Sequence, residues 1–199
     1  PCIVSEEHLG EVESLVAQNI AYSKQDWDSY ETSWDFVKHP LVPTPQEWTE
    51  QRNSQFANSR IAKFSLLSWH YDQWVYECQY RFDSLKENEE NLNGIFIDIY
   101  GLKDELTTDV DNENITVSIA DKATSIRSLI SYAVGCMFGR YSLDVPGLAY
   151  AGGEWDDSKY TTFKADKDSI IPICDDEYFA DDIVGRFIRF IEVVYGKDT

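Results

Sequence analysis

A mainly α-helical fold is predicted, with long helices, a C-terminal helical subdomain and at most a small β element. Three observations predict it. Beyond Pro45 no Gly or Pro interrupts the chain as far as Asn91. Within that run Leu67, Tyr71, Trp74, Cys78, Phe82 and Leu85 recur at steps of 4, 3, 4, 4 and 3, the spacing of one helical face. Farther on, Ile126, Leu129, Ile130, Ala133, Val134, Met137, Phe138 and Tyr141 sit at offsets 0, 3, 4, 7, 8, 11, 12 and 15, an apolar stripe of period 3.6. Only two short stretches, 148–150 and 170–173, have strand character, and Pro172 confines the second to a sheet edge or an extended segment.

In chain order, residues 6–21 read as a first helix. Ser5 is its N-cap, His8 stands where a capping box has Glu or Gln, and Leu9, Val12, Leu15, Val16 and Ile20 form its stripe. The aromatic, acidic segment 26–36 follows, and Pro40, Pro43 and Pro45 make 37–45 an irregular connector. Thr44 is an N-cap with Pro45 at the first helical position and Glu47 completing a capping box. The helix beyond is long enough for an antiparallel hairpin arm or a spacer. Leu92, Phe96 and Ile99 carry its rhythm to Tyr100, and Gly101 ends it as a C′ residue.

Residues 107–114 form an acidic loop. Alternating Asp109, Asp111 and Glu113 suggest an EF-hand, but Asn114 replaces the required Gly and Ala120 the terminal Glu, so calcium is excluded. The next helix spans 124–141, with Gly135 and Gly139 off its stripe, allowing close packing at a cost in propensity. Pro146 and Gly147 make a turn, Gly152 and Gly153 lie in a loop, and a last helix spans 181–195 before Gly196. The break at 101–121 divides a helical arm or spacer, 1–106, from a helical subdomain with short strands, 107–199, unless the two form one continuous domain.

Hydrophobic residues make up 43% of the 199 and aromatic ones 14%, enough for a packed core. No run of 18 apolar residues exists to span a membrane. The opening Pro1-Cys2-Ile3-Val4 is too short and insufficiently basic for a signal peptide, and the missing Met suggests ends that are not natural boundaries. Cys2, Cys78, Cys136 and Cys174 form no C-x-x-C pair, which fits a reduced, cytoplasmic protein. Seventeen Lys and Arg against 36 Asp and Glu give a net charge of −19. DNA repels such a surface unless its cations gather on one face, and neither half of the chain is basic. The charge either keeps the chain soluble or fits it to dock on a basic partner or to mimic DNA.

No catalytic, cofactor-binding or metal-binding constellation is present. His8, His39 and His70 lack metal-ligand spacing. No G-x-S-x-G, G-x-x-x-x-G-K-[ST] or G-x-G-x-x-G sequence occurs. Asp175, Asp176, Glu177, Asp181 and Asp182 offer paired carboxylates to a divalent metal, as a nuclease would, but such residues more often favour a helix start. Trp27, Trp34, Trp69 and Trp74 could stack nucleobases, but helical spacing without interleaved Lys or Arg favours core packing.

Three stretches carry a resemblance. Residues 88–107 read NEENLNGIFIDIYGLKDELT, 129–153 read LISYAVGCMFGRYSLDVPGLAYAGG, and 170–187 read IIPICDDEYFADDIVGRF. The first resembles the close of helical spacers in large adenine methyltransferases and type IIG restriction-modification enzymes. Together, and with DWDSYETSWDF upstream, they resemble the large adenine-specific methyltransferase of the BREX phage-defence system, the PglX family, over nearly the whole chain. The resemblance implies a parent that transfers a methyl group from S-adenosylmethionine to the N6 amine of a flipped adenine in DNA. The family's glycine-bearing cofactor loop and Asn-Pro-Pro-Tyr-type tetrapeptide are absent here, so it assigns no catalytic or cofactor residue to this chain. The implied role is a non-catalytic spacer or scaffold after the methyltransferase domain. Its implied partners are the rest of the parent, DNA through the parent, and other phage-defence proteins. The alternative is an acidic interaction or DNA-mimic module without enzymatic role. Arg140 is the one candidate contact to DNA or a partner, against a plain role as a charge complementing the C-terminal helix dipole.

Overall fold

The computed structural model describes residues 6–44, 67–179 and 181–197. Among them lie four α-helices, α1 (Glu6–Asp28), α2 (Leu67–Tyr100), α3 (Lys122–Met137) and α4 (Ile183–Tyr195), and no strand. Ser5, Pro45, Glu47 and the first part of the long uninterrupted run fall outside the described residues. The chain divides into two units. One joins the stretch ending at Trp27 to Val75–Ala120, and the other joins the described parts of Asp28–Trp74 and Asp121–Thr199. The division falls within α2, after Trp74.

In the first unit α1 and α2 run antiparallel. Asn88 Nδ2 donates to Asn19 Oδ1 at 2.9 Å, and three residues along α1 the Tyr22 ring meets Tyr80 edge-on at 6.2 Å. The segment after α2 turns back along it. Asn93 Nδ2 donates to the Thr108 carbonyl at 3.1 Å, the Val110 amide to Glu90 at 3.2 Å, and Lys86 to Asn112 at 2.8 Å. Ile115 and Val117 close a core on Phe82 and Leu85, with Tyr22 and Val110 against it. Helix α2 ends as expected. The Leu102 amide reaches the Ile97 carbonyl at 2.9 Å and the Gly101 amide reaches Asp98 at 3.2 Å, with Gly101 at φ 68°, the paired bonds of a Schellman motif.

Two expectations about α1 are corrected. The helix continues to Asp28, because the inward face goes on through Tyr22 and Asp26, whose Oδ2 accepts from Ser118 Oγ at 3.2 Å. That face is Val12, Leu15, Asn19, Tyr22 and Asp26, so Leu9, Val16 and Ile20 of the expected stripe are exposed. The two polar members, Asn19 bonded to Asn88 and Asp26 bonded through Oδ2 to Ser118, disguise the inward face as a polar one.

The second unit is built on α3 and α4. Asp121 caps α3 by accepting the Thr124 amide at 2.8 Å. The helix stops at Met137, short of the expected Tyr141, because Gly139 adopts φ 77°. Its buried face is Leu129, Tyr132, Ala133, Cys136 and Met137, while Ile130 and Phe138 are exposed. The expected stripe was therefore rotated: it omitted Tyr132, which forms the centre of an aromatic cluster. The Tyr132 ring stacks on Tyr141 at 5.1 Å and meets Phe36 at 5.9 Å and Phe190 at 6.4 Å edge-on. Gly135 admits this arrangement, since a Cβ there would lie 2.6 Å from the Tyr141 ring.

The expected short strands do not form. The Ala149 amide is taken by the Arg140 carbonyl at 2.9 Å, closing a loop, and Pro172 offers only its carbonyl, to the Ile183 amide at 2.9 Å. Helix α4 is capped by Asp182, which accepts the Gly185 amide at 2.7 Å, and it ends before Gly196.

His39 is buried in this unit. Its Nδ1 accepts the Leu41 amide at 3.2 Å, so Nε2 carries the proton and donates to Ser128 Oγ at 2.9 Å. Burial, with the neighbouring Lys38 charge, pushes the imidazole down to about 3. The unfolded chain takes up a proton near pH 6.5, which the folded chain refuses until about pH 3. The neutral ring's contribution is therefore complete above pH 6.5 and is lost on acidification, at about 1.4 kcal/mol per pH unit across that window. Urea titrations at stepped pH should show this slope, and His39→Gln should flatten it. An equal slope in both proteins would refute the assignment.

Candidate functional site

Arg140 follows the glycine that ends α3 and lies outside the helix, so it does not sit in the last turn where it would complement the dipole. The Arg140 carbonyl holds the Ala149 amide, and the Gly147 amide donates to the Val37 carbonyl at 2.7 Å. These bonds bring residues 140–148 against the turns after α1. In those turns the Ser33 hydroxyl donates to Asp28 at 2.6 Å and accepts the Asp35 amide at 3.1 Å, on either side of Trp34.

The two segments enclose a recess of about 150 Å³, lined by Glu31, Trp34, Phe36, Arg140, Tyr141 and Leu148, with Thr32 and Ser33. Phe36 and Tyr141 are buried, and their rings meet edge-on at 5.4 Å. Trp34 is 97% exposed. Arg140 Nε donates to Tyr141 Oη at 3.2 Å, and the guanidinium carbon lies 5.5 Å from that ring's centroid. Its terminal amino groups make no hydrogen bond or ion pair among the described residues. Glu31 Oε2 accepts from Ser131 Oγ at 2.9 Å, whereas Oε1 is buried without a hydrogen-bond partner.

The other sequence candidates are dispersed. Asp182 is fully buried, with its oxygens occupied by the Tyr178, Phe179 and Gly185 amides at 2.6, 2.8 and 2.7 Å. Those bonds hold its carboxyl below the usual range. It is a helix cap, while Asp175 and Asp176 stay exposed, and the described residues contain no group of three or more His, Cys, Asp or Glu able to hold a metal. His39 and His70 are both buried in the second unit, and the His70 ring meets Trp69 edge-on at 4.8 Å. Cys78 and Cys136 are buried free thiols, pushed up by burial to about 11 and about 12. Core packing holds for Trp74, but Trp27 and Trp34 are exposed, contrary to expectation. Sequence reasoning missed Glu31, Phe36 and Tyr141 as companions of Arg140. Nothing in local spacing signals a recess whose two walls lie so far apart in the chain.

No protein-family model matches the chain. Two curated relatives do. The chain is 40% identical over 198 residues to the adenine-specific methyltransferase PglX of Lacticaseibacillus casei (strain Zhang), a match covering 98% of this chain and 15% of that protein. The chain is homologous to a segment of the PglX-type methyltransferases. The adenine-specific methyltransferase BrxX of Escherichia coli O9:H4 (strain HS) is 32% identical over 218 residues, covering 98% of the chain and 16% of that protein. The chain thus spans about one-seventh of the length of the PglX-type relatives it matches. No described helix is long and apolar enough to cross a membrane.

Proposed function

We propose that the chain is a non-catalytic spacer or scaffold segment of a large S-adenosylmethionine-dependent DNA adenine-N6 methyltransferase of phage-defence or restriction-modification type, acting in the cytoplasm. The observation that carries this reading is coverage: 98% of the chain matches only 15% of a relative named as an adenine-specific methyltransferase. The greater part of such a polypeptide is left for cofactor binding, capture of the base and DNA recognition. Helix α2 suits a spacer, since its 34 residues reach about 50 Å at 1.5 Å per residue. It is braced by antiparallel α1 and by the returning 107–118 segment. S-adenosylmethionine would be held elsewhere in the parent.

A second reading, an acidic interaction module, is favoured by one stretch. Ile170, Ile173, Tyr178 and Phe179 are exposed beside Asp175, Asp176 and Glu177, an apolar surface with an acidic edge. The spacer would use such a surface to dock on the rest of the parent or on another defence protein.

Replacing the segment in a full-length relative with a flexible Gly-Ser chain of equal length separates spacing from chemistry. Retained S-adenosylmethionine binding with lost DNA methylation is expected. Unimpaired DNA methylation would overturn the spacer role.

A further inference from the structure

We propose that the recess between residues 31–36 and 140–148 receives a single nucleotide, with its base against Trp34, its exocyclic amine turned toward Glu31 and its phosphate on Arg140. This goes beyond the spacer role and does not depend on it, since a spacer without such a recess would still hold two domains apart.

The lining defines the ligand. A cavity of about 150 Å³ is the size that admits one aromatic ring. Trp34, 97% exposed at its mouth, is a flat platform with an unused face. Stacking on such a ring accepts any planar heterocycle. Phe36 and Tyr141 give the recess its apolar floor. Arg140 is held by Nε on Tyr141 Oη, which orients the guanidinium and leaves the terminal amino groups for an anion. Glu31 supplies the complementary handle. Its Oε1 is buried without a hydrogen-bond partner, a costly state for a carboxylate oxygen, and a small rotation of the side chain offers it to a donor entering the recess.

A ligand that uses all three is planar, donates from an amine and carries an anion. Nucleotides of adenine, cytosine and guanine meet that description, whereas thymine lacks the exocyclic amine. A partner's guanidinium could stack on Trp34 and pair with Glu31, but Arg140 lines the same recess and repels it. The net charge of −19 limits the contact to one phosphate, because a duplex laid across this surface would be repelled. The nucleotide is either free or one residue of a single strand.

The test is a titration of the 199-residue chain, followed by the Trp34 indole NMR resonance, which Trp34→Phe identifies. The ligands are dAMP, dCMP, dTMP, a single-stranded deoxyadenosine hexamer and a short arginine peptide. We expect dAMP and dCMP to shift the resonance, with dTMP weaker. Tighter binding of the hexamer than of dAMP identifies a strand as the source, and equal binding a free nucleotide. The logarithm of the hexamer affinity should fall with the logarithm of salt at a slope of about −0.7, the value for one phosphate contact. Arg140→Gln should weaken binding about tenfold and abolish that slope. Trp34→Ala removes the reporting indole, so its affinity is measured by titration calorimetry, and it should be weaker by roughly ten- to a hundredfold. Both side chains are exposed, so circular dichroism should show both variants folded. The proposal is overturned if no nucleotide shifts Trp34, if Arg140→Gln keeps the affinity and slope, if only the arginine peptide binds, or if Arg140 is found closed on Glu31 in the presence of nucleotide. None of these results would alter the outcome of the segment replacement.

Discussion

Phe190→Ala should destabilise the second unit by about 3–5 kcal/mol, the range for removing a fully buried phenyl ring without collapse of its surroundings. Phe190 is completely buried on α4. Its ring meets Phe163 at 5.5 Å and 88°, and Tyr132 of α3 at 6.4 Å and 69°. One substitution therefore strips edge-to-face contacts from two elements that converge on α4. Small domains have only about 5–15 kcal/mol in total, so the variant should melt far below the parent chain. The exposed Ile188, two residues earlier on the same helix, is the control. Ile188→Ala should shift stability by no more than about 0.5 kcal/mol. Urea denaturation measures both, and equal losses would show that α4 is not packed as described.

Gly139→Ala should cost about 2–4 kcal/mol, from two separable causes. The backbone there has φ 77°, where any Cβ meets the following carbonyl. That Cβ would also lie 2.4 Å from the Trp155 ring and 3.3 Å from Ala165. Trp155 has nowhere to retreat without loss, being stacked on Tyr160 at 4.6 Å with only 2° between the rings. Tyr160 in turn donates its hydroxyl to the Gly139 carbonyl at 2.6 Å. Trp155→Ala in the same chain should return the steric share of the cost, leaving only the backbone share. Full additivity of the two substitutions would mean that the Trp155 ring does not lie against Gly139 as described. The consequence reaches the recess, because Gly139 sets the direction in which Arg140 leaves α3.

Helices were legible in the sequence wherever apolar spacing and punctuation agreed. Gly101 and Gly196 mark the ends of α2 and α4, and both helices stop there. Trp74, Cys78, Phe82 and Leu85 share one face by their spacing, and all four are buried. Errors arose where burial is decided by polar or amphipathic side chains. Asn19 and Asp26 sit inward, bonded to Asn88 and Ser118, so an apolar-only pattern places the face of α1 on the wrong residues. On α3 the face was misjudged because Tyr132 is fully buried and Ile130 is not, an inversion of what hydropathy alone suggests. Arg140 could be singled out as one of few cations, but its surroundings could not. The Gly147 to Val37 bond that brings the two walls together joins backbone atoms, and backbone contacts of that kind leave no residue pattern.

On the spacer proposal, the chain is a segment of a methyltransferase and does no chemistry itself. The most direct measurement is transfer of a labelled methyl group from S-adenosylmethionine to DNA, with the isolated chain run beside a full-length relative. Label should enter DNA with the full-length enzyme and stay at background with the isolated chain at every concentration tried. Label transferred by the isolated chain would show that it carries catalytic machinery of its own.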